Sequence, residues 1–217
     1  MAAGSANLTW FNSYHAYSDH LQFLADLQAS YPNRSAIVTS GNSLNGRPIT
    51  GIHFWGSSGK GVKPAIVFHS TVHAREWITT MTNEYLAYNL VTKYDSDSEI
   101  KGFVDKYDFY IFPVVNPDGF VYTQTNERLW RKNRQTNTGS TCIGRDINRN
   151  WNFQWSVTGG ASTNPCAEDY KGAAASDAPE TTNLANFLKS VKASQGLKLF
   201  VDWHSYSQLF MTREFSP

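Results

Sequence analysis

The chain has 217 residues, of which 41% are hydrophobic and 17% charged, with a formal net charge of +1. That length and apolar content allow one large domain with a core of its own and exclude a disordered chain or a membrane span. The near-zero charge, with no block of like charges, removes nucleic acid and anionic membrane surfaces as default partners.

Met1–Ser5 reads as an expression leader, and residues 6–217 as a single domain. No apolar segment near the start suits a signal peptide, so the chain is expected to begin after any processing. Tyr17–Ser30 carries Leu21, Leu24 and Leu27 at helical spacing, with Pro32 just beyond to stop the helix. Two strand-like runs follow, Ser35–Thr39 and Pro48–Trp55, joined by glycine and asparagine that suit a hairpin or tight loop. Pro64–Ser70 is a buried strand, and Glu76 to about Lys93 a long helix with Ile78, Met81, Tyr85 and Leu86 at core spacing. Tyr107–Val115 reads as a strand ending in the turn signal Asn116-Pro117-Asp118-Gly119. From Asn116 to about Asp177 periodicity is weak, and so long a loop in a compact domain points to function. Pro179 opens another helix, with Leu184, Phe187, Leu188 and Val191, and Leu197–Val201 is a strand leading to His204. Alternating strands and helices with one hairpin predict an α/β domain with a mixed, mostly parallel β-sheet flanked by helices.

His73 and Glu76 lie where the buried strand gives way to the long helix, and His204 follows the end of another apolar run. Ends of central strands are where α/β proteins place their sites. Two imidazole nitrogens and one carboxylate make a three-ligand Zn2+ site with its fourth position open for water, the layout of a hydrolase. A lone His-x-x-Glu is weak evidence; its position at the strand end gives it weight. His15, His20, His53 and His69 read as hydrogen-bonded core residues.

The aperiodic stretch holds Arg128, Arg131, Arg134, Arg145, Asp146, Asn148 and Arg149, candidates for substrate contact. Asp146 suits either an acceptor that fixes a ligand imidazole or an ordinary loop aspartate. Arg131 beside a zinc ion would stabilise an oxyanion, and Arg149 with Asn148 offers a planar fork for a carboxylate. Each of these arginines, taken alone, is more often a surface charge. Cys142 and Cys166 bracket a polar stretch: a disulfide there is worth about 3 kcal/mol by chain entropy, and two buried thiols are the alternative. Asn7-Leu8-Thr9 and Asn33-Arg34-Ser35 are glycosylation triplets that fit a secreted protein.

Together the segments His73–Thr79, Asn116–Gly119, Arg128–Lys132, Asp146–Trp151 and His204–Leu209 resemble, in order, the zinc metallocarboxypeptidases of the carboxypeptidase A/B family. The resemblance runs through Thr212. It implies one Zn2+ per chain held by His73, Glu76 and His204, and hydrolysis of the C-terminal bond of peptides and proteins by metal-activated water. It also implies that Asn148 and Arg149 hold the terminal carboxylate, that Arg131 polarises the scissile carbonyl, and that Arg75 and Tyr206 line the subsites upstream of the cut. Asp146 would hold His73, Cys142 would pair with Cys166, and the Ser205–Tyr206 bond would be cis. Peptide or protein C-termini are the implied partners, with a propeptide or inhibitor for the full-length protein, and the setting is extracellular.

After Thr212 the family pattern calls for a proline and an aromatic residue, where this chain reads Arg213-Glu214-Phe215-Ser216-Pro217. The expectation is therefore a domain lacking its C-terminal strands and helices, the family's general-base glutamate and its mobile tyrosine. Glu214 is a poor substitute on so short a tail, and weak or no activity is expected. The open alternatives are a non-catalytic module binding zinc and peptide C-termini, or a fragment needing the missing segment to fold. The strand before His204 is expected to present an open edge.

Overall fold

A computed structural model describes residues 7–212. Five strands form one sheet: β1 (Ser35–Asn42), β2 (Pro48–Phe54), β3 (Ala65–Ser70), β4 (Asp108–Phe112) and β5 (Leu197–Trp203), in the order β1-β2-β4-β3-β5. The β1–β2 and β2–β4 pairs are antiparallel; β4, β3 and β5 run parallel. The central strands β3 and β4 are apolar runs covered on both faces, as parallel strands require. The outer β1 alternates between inward and outward residues. A bulge between Thr39 and Gly41 bends it, with Gly41 at φ 140°. A Cβ there would lie 2.5 Å from the Asn183 side chain, so only glycine fits.

Helices cover both faces. On one, α1 (Tyr17–Ser30) and α2 (Trp77–Thr92) contribute Phe23, Leu24, Leu27 and Val91 to a core with Ile52, Phe54, Ile66 and Ile111. On the other, α5 (Pro179–Ser194) sets Leu184 and Val191 against Ile49, Val67, Phe112 and Ile147. Full burial of one such side chain stabilises by about 2 kcal/mol. The strand period of two sends Ile66 to the first core and Val67 to the second, which is why one short strand joins both layers.

The helix over Tyr17–Ser30 and the hairpin stand where the pattern puts them, and the other elements agree to within a few residues. β4 stops at Phe112 rather than Val115, because Pro113 has no N–H for the ladder. The segment Asn116–Gly119 is not a turn between strand and loop. It opens α4 (Pro117–Thr125): the Asn116 side chain accepts the Gly119 N–H at 3.0 Å, and Pro117 sits in the first turn, where a missing N–H costs nothing. Gly119 packs so tightly that a Cβ would come within 2.8 Å of the Ala74 side chain. One further helix, α3 (Ser98–Lys106), is capped by Asp97 in a stretch where the sequence pattern predicts no element; it buries only Val104. The edge of β5 away from β3 has no strand partner among the described residues, and Leu199 and Phe200 on it are exposed. No described helix is long and apolar enough to cross a membrane. Met1–Ser5 and the tail from Arg213, including Glu214, lie outside the described residues.

Candidate metal centre

The site begins where β3 ends. Thr71 adopts a left-handed backbone (φ 57°), costly for a β-branched residue, and is held there by its neighbours. Its hydroxyl is 2.5 Å from that of Thr80 and 3.1 Å from that of Thr79, while its carbonyl accepts the Asn116 N–H. This turn carries His73 into the bend that leads to α2 and leaves Glu76 as the residue capping that helix. The Glu76 side chain makes no cap bond to its own helix, so its carboxylate is free to turn toward the imidazoles. His204, just past the end of β5, approaches from the neighbouring parallel strand.

The three side chains converge. Nδ1 of His73 is 2.8 Å from Oε1 of Glu76, and Nδ1 of His204 is 3.1 Å from Oε2 of Glu76. The two Nδ1 atoms are themselves 3.1 Å apart. Two ring nitrogens facing each other beside a carboxylate satisfy one another poorly with protons alone. Zn–N bonds of about 2.0–2.1 Å at the tetrahedral angle put donors about 3.3 Å apart, so an expansion of a few tenths of an ångström admits the ion. The donor set and its spacing fit zinc. His73 and Glu76 are buried and His204 is partly open, so a face remains for water or substrate.

The electrostatics agree. Burial works to raise the Glu76 pKa, but bonds from His204 and His73, the His73 charge and the Ser205 N–H bring it down to about 2. For His204 burial opposes the charge, yet Asp202 and Glu76 push its pKa up to about 10. Without a metal the carboxylates therefore draw protons onto the imidazole. A divalent cation would replace that charge, and its binding must release the proton.

Asp146 is fully buried behind His73: its Oδ1 is 3.1 Å from Nε2 of His73 and accepts the Asn148 N–H at 2.8 Å. Its Oδ2 accepts from Nε and NH2 of Arg131, at 3.2 and 2.9 Å. Burial raises the Asp146 pKa, and His73 and Arg131 more than offset it, to about 2. The Arg131 guanidinium is thereby fixed at the rim of the site, its NH1 3.9 Å from Glu76 Oε1. The backbone of its segment is tied in as well, since the Arg131 carbonyl accepts the Ala74 N–H.

Asn148 reaches the cluster, its Nδ2 3.3 Å from Nε2 of His204. Arg149 is half-buried and bonds the Asn148 carbonyl. The Arg75 guanidinium bonds the Leu129 carbonyl and Glu168, and Tyr206 is 97% exposed after a cis Ser205–Tyr206 bond. Other arginines of the aperiodic stretch are occupied in packing. Arg145 is buried against Asp177, Arg134 stacks on Tyr122 and Trp130, and Arg128 lies over Trp77. Cys142 and Cys166 form a disulfide. Of the histidines read as core residues, His20 and His53 bond buried Glu84 and Asp108, and His15 bonds the Trp10 carbonyl. His69 differs: it is fully buried with neither ring nitrogen hydrogen-bonded. Asp202 carries no motif of its own in the sequence, though its place two residues before His204 puts both on one strand face.

A family profile described as zinc carboxypeptidase matches residues 20–215. The metallocarboxypeptidase A of Arthroderma otae is 53% identical over 213 residues, covering 97% of this chain and 50% of that protein. The chain thus spans about half the length of the curated relatives it matches. Among solved structures, thrombin activatable fibrinolysis inhibitor superposes with a TM-score of 0.86 at 30% identity, over 94% of this chain and 50% of that one. The bovine form, in complex with tick carboxypeptidase inhibitor, gives 0.82 at 30% identity, over 92% of this chain and 63% of that one.

Proposed function

The chain belongs to the zinc carboxypeptidase family, and from that premise we propose that it carries the metal centre of a metallocarboxypeptidase, which removes the C-terminal residue of peptides and proteins. The observation that carries this reading is the convergence of His73, Glu76 and His204 beside a fixed guanidinium. In it, the three side chains hold one Zn2+, which when bound lowers the pKa of a water and polarises a carbonyl. Arg131, held by Asp146, presents its remaining N–H groups to the oxygen that gains charge. Asn148 and Arg149 lie on the same rim, where a planar fork and an amide suit a terminal carboxylate. Arg75 and Tyr206 face the upstream part of the peptide, and Asp146 fixes the ring of His73 so that Nδ1 faces the metal.

A general base is a separate requirement. Glu76, Asp146 and Asp202, the carboxylates around the described centre, are each engaged with an imidazole or a guanidinium. On that ground the described residues alone turn over weakly or not at all, and a site that binds zinc and peptide C-termini without cleaving them is the second reading. A protein inhibitor is a further partner class in this reading, since the bovine relative is in complex with tick carboxypeptidase inhibitor. The disulfide and the exposed triplet Asn7-Leu8-Thr9 favour an extracellular setting. The test is release of C-terminal residues with and without a chelator. Chelator-sensitive release supports the enzyme; stoichiometric zinc with saturable peptide binding and no release supports the binding module; neither zinc nor peptide binding overturns both.

A further inference from the structure

His204 has a carboxylate behind it, as His73 does. Asp202 Oδ2 lies 2.9 Å from Nε2 of His204, on the ring edge away from Glu76 and His73. Beneath it is His69 on β3, the parallel-register partner of Asp202 on β5. Nδ1 of His69 is 3.4 Å from Asp202 Oδ1, and neither atom has another hydrogen-bond partner among the described residues. The His69 ring is fully buried and stacks on Phe200, with centroids 4.7 Å apart and planes at 19°. Phe200, Asp202 and His204 follow one another at the strand period, so all three and His69 share one face of the sheet.

We propose that Asp202 is the positioning residue for His204, with His69 as its buried anchor: the carboxylate accepts a hydrogen bond from the Nε2–H and leaves the Nδ1 lone pair directed at the metal. This rests on the reading of His204 as a zinc ligand. An imidazole ligand needs its other nitrogen held by an acceptor to fix both tautomer and ring orientation. Asp146 does this for His73, and no other carboxylate reaches the far edge of His204 among the described contacts. The arrangement also settles the role of Asn148, whose Nδ2 is 3.3 Å from the same Nε2. Once Nε2 carries its proton toward Asp202, it cannot accept from Asn148, and the amide N–H is left for an incoming carboxylate. His69 supplies what Asp202 lacks at its other oxygen. Two orphaned polar atoms 3.4 Å apart need only a small shift to bond.

The experiment measures zinc affinity by competition with a chromogenic chelator, and the ligand-field absorption of the cobalt(II) form. Asp202→Ala weakens zinc binding by about 10–100-fold and shifts the cobalt bands. Asp202→Asn, which keeps an acceptor oxygen at the same place, weakens it by less. His69→Phe, which keeps the stacking but removes both nitrogens, weakens it several-fold. The double variant Asp202→Ala/His69→Phe is no weaker than Asp202→Ala, because His69 acts only through Asp202. If Asp202→Ala does not fold, Asp202→Ser, which also withdraws the acceptor from Nε2, decides. Variants that bind zinc within twofold of the parent, with unchanged cobalt bands, overturn the assignment while leaving the ligand set intact. A parent protein that binds no zinc, or a His204→Ala variant that binds as tightly as the parent, overturns the ligand reading itself.

Discussion

Replacing Asp146 by alanine tests the link between the metal centre and the guanidinium beside it. The carboxylate is fully buried and has four polar contacts: His73 Nε2, the Asn148 N–H, and two from Arg131. The fall of its pKa from an ordinary 3.8 to about 2 corresponds to about 2 kcal/mol. Because the folded pKa is the lower one, that contribution to the metal-free protein is present above about pH 3.8 and lost as pH falls through about 2. Deletion costs more than this, since it strands the Arg131 guanidinium and the Asn148 N–H: about 3–5 kcal/mol, the range for removing one partner of a buried pair. Urea unfolding of the metal-free protein at pH 7 measures it. Zinc affinity, measured separately, falls about 10–100-fold as the His73 ring loses its anchor. A loss of under 1 kcal/mol with zinc binding unchanged would refute the reasoning.

Three further outcomes follow from the structure. Glu180 is buried with one oxygen on Asn133 and the other unpartnered, and burial raises its pKa. An acid raised in the folded state loses stability as pH rises past its unfolded value, about 4.3. Glu180→Gln therefore stabilises at pH 7 and has no such effect below pH 4, read from melting temperature against pH. Arg131→Ala, in a protein with measurable carboxypeptidase turnover, lowers kcat by about 100–1,000-fold. A change of under fivefold would remove Arg131 from the oxyanion role. Changing both Cys142 and Cys166 to serine, 24 residues apart, costs about 3 kcal/mol in denaturant unfolding by the chain-entropy relation. No loss would mean that the loop is already ordered without its crosslink.

The elements that the sequence makes legible are those with strong periodicity and plain punctuation. Tyr17–Ser30 ends before Pro32, and Ala65–Ser70 is apolar throughout, so each has one sensible place in the fold. The helix over Ser98–Lys106 escapes such a reading because it is short and buries only Val104, and half of its other residues are charged. Asn116–Gly119 misleads for a different reason. Asparagine and proline serve a turn and a helix start equally well, and packing against Ala74 decides between them. At the site, His73, Glu76 and His204 show themselves through their positions after strand ends. Arg145 and Arg131 look alike in sequence, yet one is consumed by Asp177 and the other points to the centre, a difference made by contacts across the fold. Asp202 and His69 are hidden for the same reason, since their partnership comes from the parallel pairing of β3 with β5.

The most direct test of the central claim is X-ray absorption at the zinc edge on the purified protein, combined with metal stoichiometry. One zinc per chain, with two imidazole nitrogens and carboxylate oxygen at about 2.0–2.2 Å and no sulfur, is the predicted result. His73→Ala and His204→Ala should each remove one nitrogen scatterer. Substoichiometric zinc, or a first shell unchanged by both substitutions, would contradict it.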